Sequence, residues 1–493
     1  MILSCILALA SAGLLVLLFP PFNLFWLSPI ALAPLLVACA REDSWLRRFA
    51  FGYLAGVAYW CGICHWIQWT LEHHGGMGGA LAWALFALFC LVKGLQMGVF
   101  AALSGTVLRK WFAIPAIAAI WVAIEWTHSY TGFEWMNLGN AGIDLPLPLR
   151  LAPITGVWGI SFSLALMAAV IAALVMRLQR HPAVWLLALP LLFLLPDFPA
   201  AGKGTAGAVI VQPNLDDETA WTPALLEETE RQMRLFSLSV AGRDHAASVI
   251  VWPEVPAPFY EADPTFTGLL SGIAKQANAN VLSGVVAHEG RRGPPLNSAL
   301  LMDENGNRVS RYDKVNLVPF GEFVPWPFGL ITEKVSTEAG DFAPGTQVVV
   351  SRLDGHRIGT FICYESAFPS YIRQFAASGA EVLFNISNDS WFGKTAARYQ
   401  HLLIVRMRAV ENERWIVRST NNGISGVVDP AGRVDRTLPE FQEASARIGY
   451  GYVSTQTFYT KHGDWFVLLC ALIAIGSLVS VALPARYRPY PAG

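Results

Sequence analysis

Long apolar stretches constrain the fold of this chain more than any other feature of its sequence. A helix needs about 20 apolar residues to cross a bilayer, and seven such stretches precede residue 200, with an eighth near the C-terminus. The first is not expected to be a removable signal peptide, because it lacks a basic start and further stretches follow. The pattern predicts about eight membrane spans, at residues 2–19, 24–40, 50–70, 78–106, 112–128, 155–176, 182–197 and 465–484.

The composition separates an apolar from a polar part. Hydrophobic residues make up 54% of the 493 residues and charged residues only 14%, whereas soluble domains carry about 25% charged residues. Most charges lie between residues 205 and 455. We therefore predict a transmembrane domain of seven helices at 1–199, a polar domain at 205–455 and a C-terminal transmembrane helix at 465–484.

Basic residues in the short loops predict the orientation, because loops rich in Lys and Arg stay in the cytoplasm. With the N-terminus in the cytoplasm, the loops and tail on that side hold nine basic residues, and the opposite loops almost none apart from Arg150. Both termini are thus expected in the cytoplasm, with the polar domain exported. The nine basic residues are Arg41, Arg47, Arg48, Arg109, Lys110, Arg177, Arg180, Arg486 and Arg488.

Two charged residues interrupt the apolar stretches, Lys93 in the fourth and Glu125 in the fifth. At 1.5 Å per residue, each lies about 23 Å from the cytoplasmic end of its helix. The two side chains can therefore meet in the outer half of the bilayer. Because charges are costly in lipid, we expect an ion pair between these helices. A contact with a lipid headgroup is the alternative.

Strand and helix patterns alternate in the polar part, which predicts an α/β or α+β domain large enough for its own core. Thr222 followed by Pro223 is typical of a helix start. We find no internal repeat. Strands are predicted at 208–211, 248–252, 281–287, 298–302, 348–353, 357–362, 381–386, 414–419, 426–428 and 447–453, and helices at 222–241, 264–278 and 397–412.

The sequence disfavours several common chemistries. The net charge of −1 provides no basic field for nucleic acid. The chain contains no GxxxxGK[ST] phosphate loop, no HExxH motif and no paired CxxC zinc spacing. Cys61 and Cys64 form a lone CxxC in an apolar helix, where we expect packing rather than redox or metal chemistry.

One cysteine stands apart from the others. Six of the seven cysteines lie in apolar stretches, whereas Cys363 is alone between about residues 200 and 460. In an exported domain, an unpaired cysteine indicates a reactive thiol or an intermolecular disulfide. A small buried hydrophobic residue is the alternative explanation.

Three predicted strand ends of the polar part carry unusual polar residues. They are WPE, which ends at Glu254; YDKVNLVPFGE, which contains Lys314 and Glu322; and FICYE, which contains Cys363. Active-site residues commonly lie where core strands pass into loops. Singly, each has a simpler explanation: a helix cap at Glu254, a snorkelling Lys314, or a stabilising pair between Lys314 and Glu322.

Together these residues supply what a thiol nucleophile needs. Glu254 can take the thiol proton, the Lys314 ammonium can stabilise an oxyanion, and Glu322 can orient or tune that cation. A Cys–His pair is less favoured, because none of the domain's histidines ends a comparable apolar strand. These are His245, His288, His356, His401 and His462.

The three motifs resemble the carbon–nitrogen hydrolase (nitrilase) superfamily, whose triad is Glu-Lys-Cys. They match in order and local context, over about residues 205–455. The resemblance implies an αββα sandwich with Glu254, Lys314 and Cys363 as catalytic residues. Within that superfamily, the chain resembles most specifically the membrane-embedded acyltransferases that act on bacterial lipoproteins. This narrower resemblance rests on LVPFGEFVP, on SNDSWF at residues 387–392 and on the apolar stretches.

The narrower resemblance implies a two-step acyl transfer in the bacterial inner membrane, with the catalytic domain in the periplasm. The Cys363 thiolate attacks an acyl ester of a phospholipid, commonly phosphatidylethanolamine, and forms a thioester. The α-amine of a diacylglyceryl-cysteine on an apolipoprotein then takes the acyl chain. No metal or organic cofactor is implied. The apolar stretches themselves favour a substrate that lies in the bilayer.

The resemblance also implies supporting positions around the triad. Glu365 is expected either to orient Lys314 or to contact substrate. The aromatic segments 323–330 and 390–392 are expected to form mobile arms that keep water from the thioester, or else ordinary packed loops. Supporting positions are implied at Glu322, Tyr364 and Glu365, and substrate-site positions at Trp221, Trp391 and Phe392.

Two other functions are compatible with the sequence. A membrane-tethered amidase or nitrilase would use water as acceptor and release a free acid or ammonia. A transporter or receptor with an exported sensor domain would form no covalent adduct and would be indifferent to Cys363→Ala. The clustered Glu254, Lys314 and Cys363, and the scarcity of charges within the spans, argue against the sensor.

Overall fold

Apolar helices form the N-terminal part of the protein. In the computed structural model, the described residues are 1–76, 78–198, 204–216, 220–241, 247–290, 293–323 and 342–483. The α-helices of this part are α1 (Ile2–Leu17), α2 (Ala33–Ala40), α3 (Trp45–Ile63), α4 (Trp66–His73), α5 (Gly79–Val107), α6 (Ala113–Tyr130), α7 (Pro146–Leu149), α8 (Ala152–Thr155) and α9 (Val157–Val175). 3-10 helices lie at Phe25–Leu27, Leu138–Asp144 and Pro182–Leu194.

Three helices in the described part of the chain are long and apolar enough to cross a membrane. They are α5, α9 and the C-terminal helix Trp465–Ala482. The shorter apolar helices α1 and Pro182–Leu194 coincide with two further predicted spans. The stretch 24–40 is not one continuous helix, because Pro29 and Pro34 interrupt its backbone hydrogen bonding. Its helix α2 has eight residues and rises only about 12 Å.

The prediction of an ion pair between Lys93 and Glu125 is wrong. Lys93 Nζ donates to Thr131 Oγ1 and to the Phe133 carbonyl, both at 3.1 Å. Glu125 Oε1 accepts from the Leu138 amide at 2.6 Å. Both side chains therefore bind the loop after α6 instead of each other. Sequence spacing placed them at equal depth but could not specify the directions in which their side chains point.

The polar part alternates strands and helices, as predicted. Its strands are β1 (Ala206–Gln212), β2 (Val249–Val251), β3 (Asn280–His288), β4 (Pro295–Met302), β5 (Arg308–Asp313), β6 (Val350–Leu353), β7 (His356–Ile362), β8 (Val382–Ser387), β9 (Ile416–Thr420), β10 (Gly426–Val428), β11 (Val434–Thr437) and β12 (Ala444–Tyr450). Its helices are α10 (Pro223–Ala241), α11 (Pro264–Ala277), α12 (Pro369–Ala377) and α13 (Ala397–Asn412), followed by α14 (Phe458–His462) and α15 (Trp465–Ala482).

Two six-stranded sheets with the same pattern of strand directions build this domain. The strand orders are β12-β1-β2-β3-β4-β5 and β6-β7-β8-β9-β10-β11. In each sheet three central strands run parallel, an antiparallel strand flanks one side, and an antiparallel pair flanks the other. The two sheets thus share one arrangement of strand directions although the sequence shows no repeat. Their connectivity differs, because the strand beside β1 is the last strand, β12, whereas the strand beside β7 is the preceding one, β6.

Alternate side chains along the strands of the first sheet pack into two different hydrophobic cores, one on each face of the sheet. Ala208 and Ile210 of β1 join the core shared with the second sheet. Val209 and Val211 join a separate core with residues of α11, including Phe266. This follows from the period of two along a strand. The second sheet carries α12 and α13 on its own side, so the layers are helix, sheet, sheet, helix, and the predicted αββα sandwich is confirmed.

Local signals account for which elements were predicted. Thr222 Oγ1 accepts from the Leu225 amide at 3.2 Å, as expected for a helix start. The edge strands β5 and β11 escaped prediction, because β5 is largely polar and the four residues of β11 are all exposed. Helix α12 was also not predicted; its apolar residues Ile372 and Phe375 are buried at helical spacing.

Candidate active site

Strand ends from both sheets meet at one edge of the sandwich. Glu254 follows β2, Lys314 follows β5 and Cys363 follows β7. The amide of Asn388, which follows β8 in the second sheet, donates to Glu254 Oε2 at 2.8 Å. The structure therefore brings together residues from three separate sequence motifs, as expected where parallel strands end side by side.

Lys314 lies between two carboxylates. Its Nζ is 2.9 Å from Glu254 Oε1 and 2.9 Å from Glu322 Oε2, and all three side chains are buried. Although burial lowers the pKa of a lysine, Glu254 and Glu322 raise the Lys314 pKa well above its usual value. The ammonium group therefore stays charged and can oppose negative charge that develops nearby.

Asn297 completes this cluster, and sequence reasoning missed it. Its Nδ2 donates to Glu254 Oε1 at 2.8 Å and to Glu322 Oε1 at 2.7 Å. The backbone carbonyl of Asn297 accepts from the backbone amide of Lys314 at 2.8 Å. Asn297 thus holds both carboxylates and the lysine backbone in register. The available signal was an amide within the largely apolar strand β4.

Cys363 occupies a sharp turn directly after β7. Its φ is +51°, a left-handed conformation that is unfavourable for a residue with a Cβ and is often found at functional sites. Burial raises the pKa of the thiol and Glu254 raises it further, while Lys314 acts in the opposite direction. The thiol is therefore protonated at neutral pH, so nucleophilic attack requires a base to remove its proton.

Glu365 fastens the loops that carry Lys314 and Cys363. Its Oε1 accepts from the Tyr312 hydroxyl at 2.6 Å and the Val315 amide at 2.7 Å, and its Oε2 accepts from the Ile362 amide at 2.7 Å. Burial raises its pKa to about 7, although these hydrogen bonds lower it. The carboxylate thus holds the backbone on either side of the site rather than the lysine amine.

A buried network of polar side chains contacts the backbone of the Cys363 turn. His401 Nε2 lies 3.1 Å from the Cys363 carbonyl and 2.9 Å from Ser366 Oγ. Its Nδ1 lies 3.2 Å from Asp389 Oδ1, which Arg418 also binds. Burial opposes ionisation, but Arg418 and His401 hold the Asp389 pKa far below its usual range. His401 therefore contacts the backbone of the turn, and no Cys–His thiol pair forms there.

An aromatic cluster joins the site to the N-terminal helices. The Tyr364 ring stacks on Trp135, with centroids 6.3 Å apart, and its hydroxyl donates to the Gly132 carbonyl at 3.1 Å. Phe392 is buried against Trp66 and Trp135. The wall beside Cys363 is therefore apolar and shared between the two parts of the chain.

The other implied substrate-site residues lie in different surroundings. Trp391 stacks on His74 at 5.2 Å, and its carbonyl accepts from Thr70 Oγ1 at 2.9 Å, so it contacts α4. Trp221 is half-buried and packs against the core that contains Phe266 and α11. Of the arm predicted at 323–330, residues 324–330 lie outside the described residues. Across the described ranges, no three His, Cys, Asp or Glu side chains are arranged to hold a metal ion.

The αββα fold and the Glu-Lys-Cys cluster define a class of protein. Residues 208–456 match the family model described as carbon-nitrogen hydrolase. A second model, described as apolipoprotein N-acyltransferase N-terminal domain, matches residues 11–170. The polar sandwich thus belongs to the carbon–nitrogen hydrolase class, and the apolar helices distinguish it from a free-standing member.

Related sequences that align with nearly the whole chain identify a more specific family within this class. A protein of Geobacter metallireducens named apolipoprotein N-acyltransferase is 33% identical, over 98% of this chain and 95% of its own. One of the same name from Pseudomonas paraeruginosa is 34% identical, over 98% and 96%. The chain belongs to the apolipoprotein N-acyltransferase family. A solved amidase from Nesterenkonia sp. is 19% identical, over 55% of this chain and 98% of its own, with a TM-score of 0.40.

Proposed function

We propose that this N-acyltransferase moves a fatty acyl chain from a phospholipid to the α-amine of a diacylglyceryl-cysteine at the start of an apolipoprotein. Family membership supports the reaction class. The observation that carries the mechanism is the buried cluster in which Lys314 bridges Glu254 and Glu322 beside the turn of Cys363. It combines a protonated nucleophile, a base and a fixed cation in one water-poor place.

The first half-reaction forms a thioester. The Glu254 carboxylate takes the Cys363 proton as the sulfur attacks the ester carbonyl of the phospholipid. The Lys314 ammonium and a backbone amide near Tyr364 stabilise the negative oxygen of the tetrahedral intermediate. The C–O bond then breaks, Glu254 returns the proton to the leaving alkoxide, and a lysophospholipid departs.

The second half-reaction transfers the acyl group. Glu254 takes a proton from the attacking amine, the C–S bond breaks, and the proton returns to the Cys363 sulfur. A thioester preserves the activation of the acyl group while one lipid product leaves and the acceptor enters. Phosphatidylethanolamine is the donor we propose. We further propose that Trp221, Trp391 and Phe392 line the substrate path.

The same proposal places the protein in a bacterial inner membrane. Seven membrane crossings within residues 1–199, the second through the interrupted stretch 24–40, and an eighth at 465–484 put both termini in the cytoplasm and the 205–455 domain in the periplasm. Support comes from the biased distribution of basic loop residues and from the large exposed apolar side chains of α15, such as Leu468, Leu472 and Ile475. These side chains suit contact with lipid.

Intact-mass spectrometry tests the mechanism. Purified protein incubated with phosphatidylethanolamine and no acceptor should gain one fatty-acyl mass that hydroxylamine removes, and Cys363→Ala protein should gain none. Addition of a synthetic diacylglyceryl-cysteine peptide should then discharge the adduct and yield N-acylated peptide. Folded, lipid-bound protein that never gains the mass would exclude a thioester. Release of free fatty acid without acylated peptide would indicate a hydrolase.

A further inference from the structure

Two buried charged side chains in the apolar helices act on one loop. Lys93 of α5 and Glu125 of α6 are each only 3% exposed. Lys93 Nζ binds Thr131 Oγ1 and the Phe133 carbonyl and lies 4.8 Å from the centre of the Trp60 ring. Glu125 binds the Leu138 amide. One side chain thus holds the start and the other the end of residues 131–138, here called the 131–138 loop.

The 131–138 loop contacts the residue that follows the nucleophile. The Tyr364 hydroxyl donates to the Gly132 carbonyl at 3.1 Å, and the Tyr364 ring stacks on Trp135. Trp135 Nε1 also donates to Gln400 Oε1 at 2.8 Å, which ties the loop to α13. Because Tyr364 is adjacent to Cys363 in the chain, a shift of this loop would also shift the left-handed turn at Cys363.

We propose that Lys93 and Glu125 are positioning residues that hold the 131–138 loop and, through Tyr364, the geometry of the Cys363 turn. Charges are costly inside apolar helices and persist where hydrogen bonds satisfy them. Here the partners belong to the loop, so the two charges neither pair with each other nor face a lipid headgroup. Loss of either would leave loop backbone groups without a buried partner.

Because the inference rests in part on the proposed acylation of Cys363, its test uses two readouts. The first is the rate of thioester formation with phosphatidylethanolamine. The second is the rate at which iodoacetamide alkylates the Cys363 peptide, followed by mass spectrometry, which needs no substrate. A wild-type protein that alkylates but never acylates would contradict the proposed function while leaving the positioning role measurable.

A double-mutant cycle decides whether Lys93 acts through Tyr364. We expect Lys93→Met and Tyr364→Phe each to change both rates by about tenfold, and the double variant to change them no further. Effects that multiply to about a hundredfold, or wild-type rates in Lys93→Met, would overturn the proposal. Arg48→Met is the matched control, because Arg48 Nε also donates to two backbone carbonyls, those of Cys39 and Glu42. Arg48 packs beside Gly105, near the opposite end of α5 from the loop.

Substitutions at Glu125 keep the proposal testable if Lys93→Met does not fold. Glu125→Gln retains an oxygen that can accept from the Leu138 amide, whereas Glu125→Leu does not. We expect rates within about threefold of wild type for the first and a loss of about tenfold for the second, as for loss of one buried acceptor. Equal losses in both variants, or an equal loss in Arg48→Met, would show a general packing effect and overturn the proposal.

Discussion

Replacement of Asn297 by alanine tests how the buried carboxylates are held. Asn297 Nδ2 donates to both Glu254 and Glu322, at 2.8 and 2.7 Å. Hydrogen bonds to charged groups contribute about 1.5–3 kcal/mol each. If the bond to Glu254 is needed in the transition state, its loss corresponds to a rate about 10- to 150-fold lower, at about 1.36 kcal/mol per tenfold.

Asn280→Ala is the matched control for this substitution. Asn280 is equally buried, and its Nδ2 also makes two hydrogen bonds, to the Ser248 carbonyl and Asp354. Asn297 pairs with Val286 across β3 and β4, so Asn280 lies about 20 Å away at the other end of β3. Both variants should be destabilised by about 2–5 kcal/mol, but only Asn297→Ala should lose activity beyond that effect.

The assay is single-turnover thioester formation, measured on protein whose folded fraction is established by denaturant unfolding. Comparable rate losses in both variants would mean that the effect is one of general stability. A rate for Asn297→Ala within threefold of wild type, against the roughly 10-fold minimum expected, would refute the reasoning that Asn297 positions the base. The second result would show that Lys314 and the Asn388 amide suffice to orient Glu254.

Two further substitutions test the surroundings of the site. A Cβ at Gly284 would lie 2.3 Å from the Val255 amide and 2.7 Å from Glu254 Cα, so Gly284→Ala should displace the base and lower the rate at least about tenfold; Gly268→Ala, with open space at its Cβ, should keep activity, and equal rates would contradict the clash. The folded pKa of Glu365 is about 7 instead of 4.5, so its contribution to stability is lost as pH rises between these values. Thermal unfolding of Glu365→Gln should therefore improve relative to wild type from pH 5 to 8, and a constant difference would contradict this.

Much of the polar domain could be predicted from sequence because its signals are local. The apolar central strands and the αββα sandwich were expected, and the structure contains them. The edge strands β5 and β11 were not, since exposed polar strands lack an apolar pattern. The apolar helices were also only partly predictable: composition marked the stretch 24–40 as apolar, but Pro29 and Pro34 divide it.

In the candidate site, the residues proposed to carry out the reaction could be predicted from the sequence, whereas the residues that support them could not. Glu254 and Cys363 stood out because they follow apolar strands, and Lys314 because it lies within apolar sequence. All three belong to recognisable motifs, and the structure brings them together. Asn297 and His401 did not stand out. Their importance depends on partners far away in sequence, since the His401 contact with Cys363 spans 38 residues and no local pattern encodes it.

The sequence by itself determined the two-part nature of the protein, the order of its central strands along the chain and the chemical groups available at their ends, because hydropathy and strand period are local properties. Only the tertiary structure decided which of those groups meet. The directions of Lys93 and Glu125 depend on the packing around them, so two residues at equal depth hold one loop instead of each other. That same packing joins the 131–138 loop to Tyr364 and so couples the apolar helices to the nucleophile.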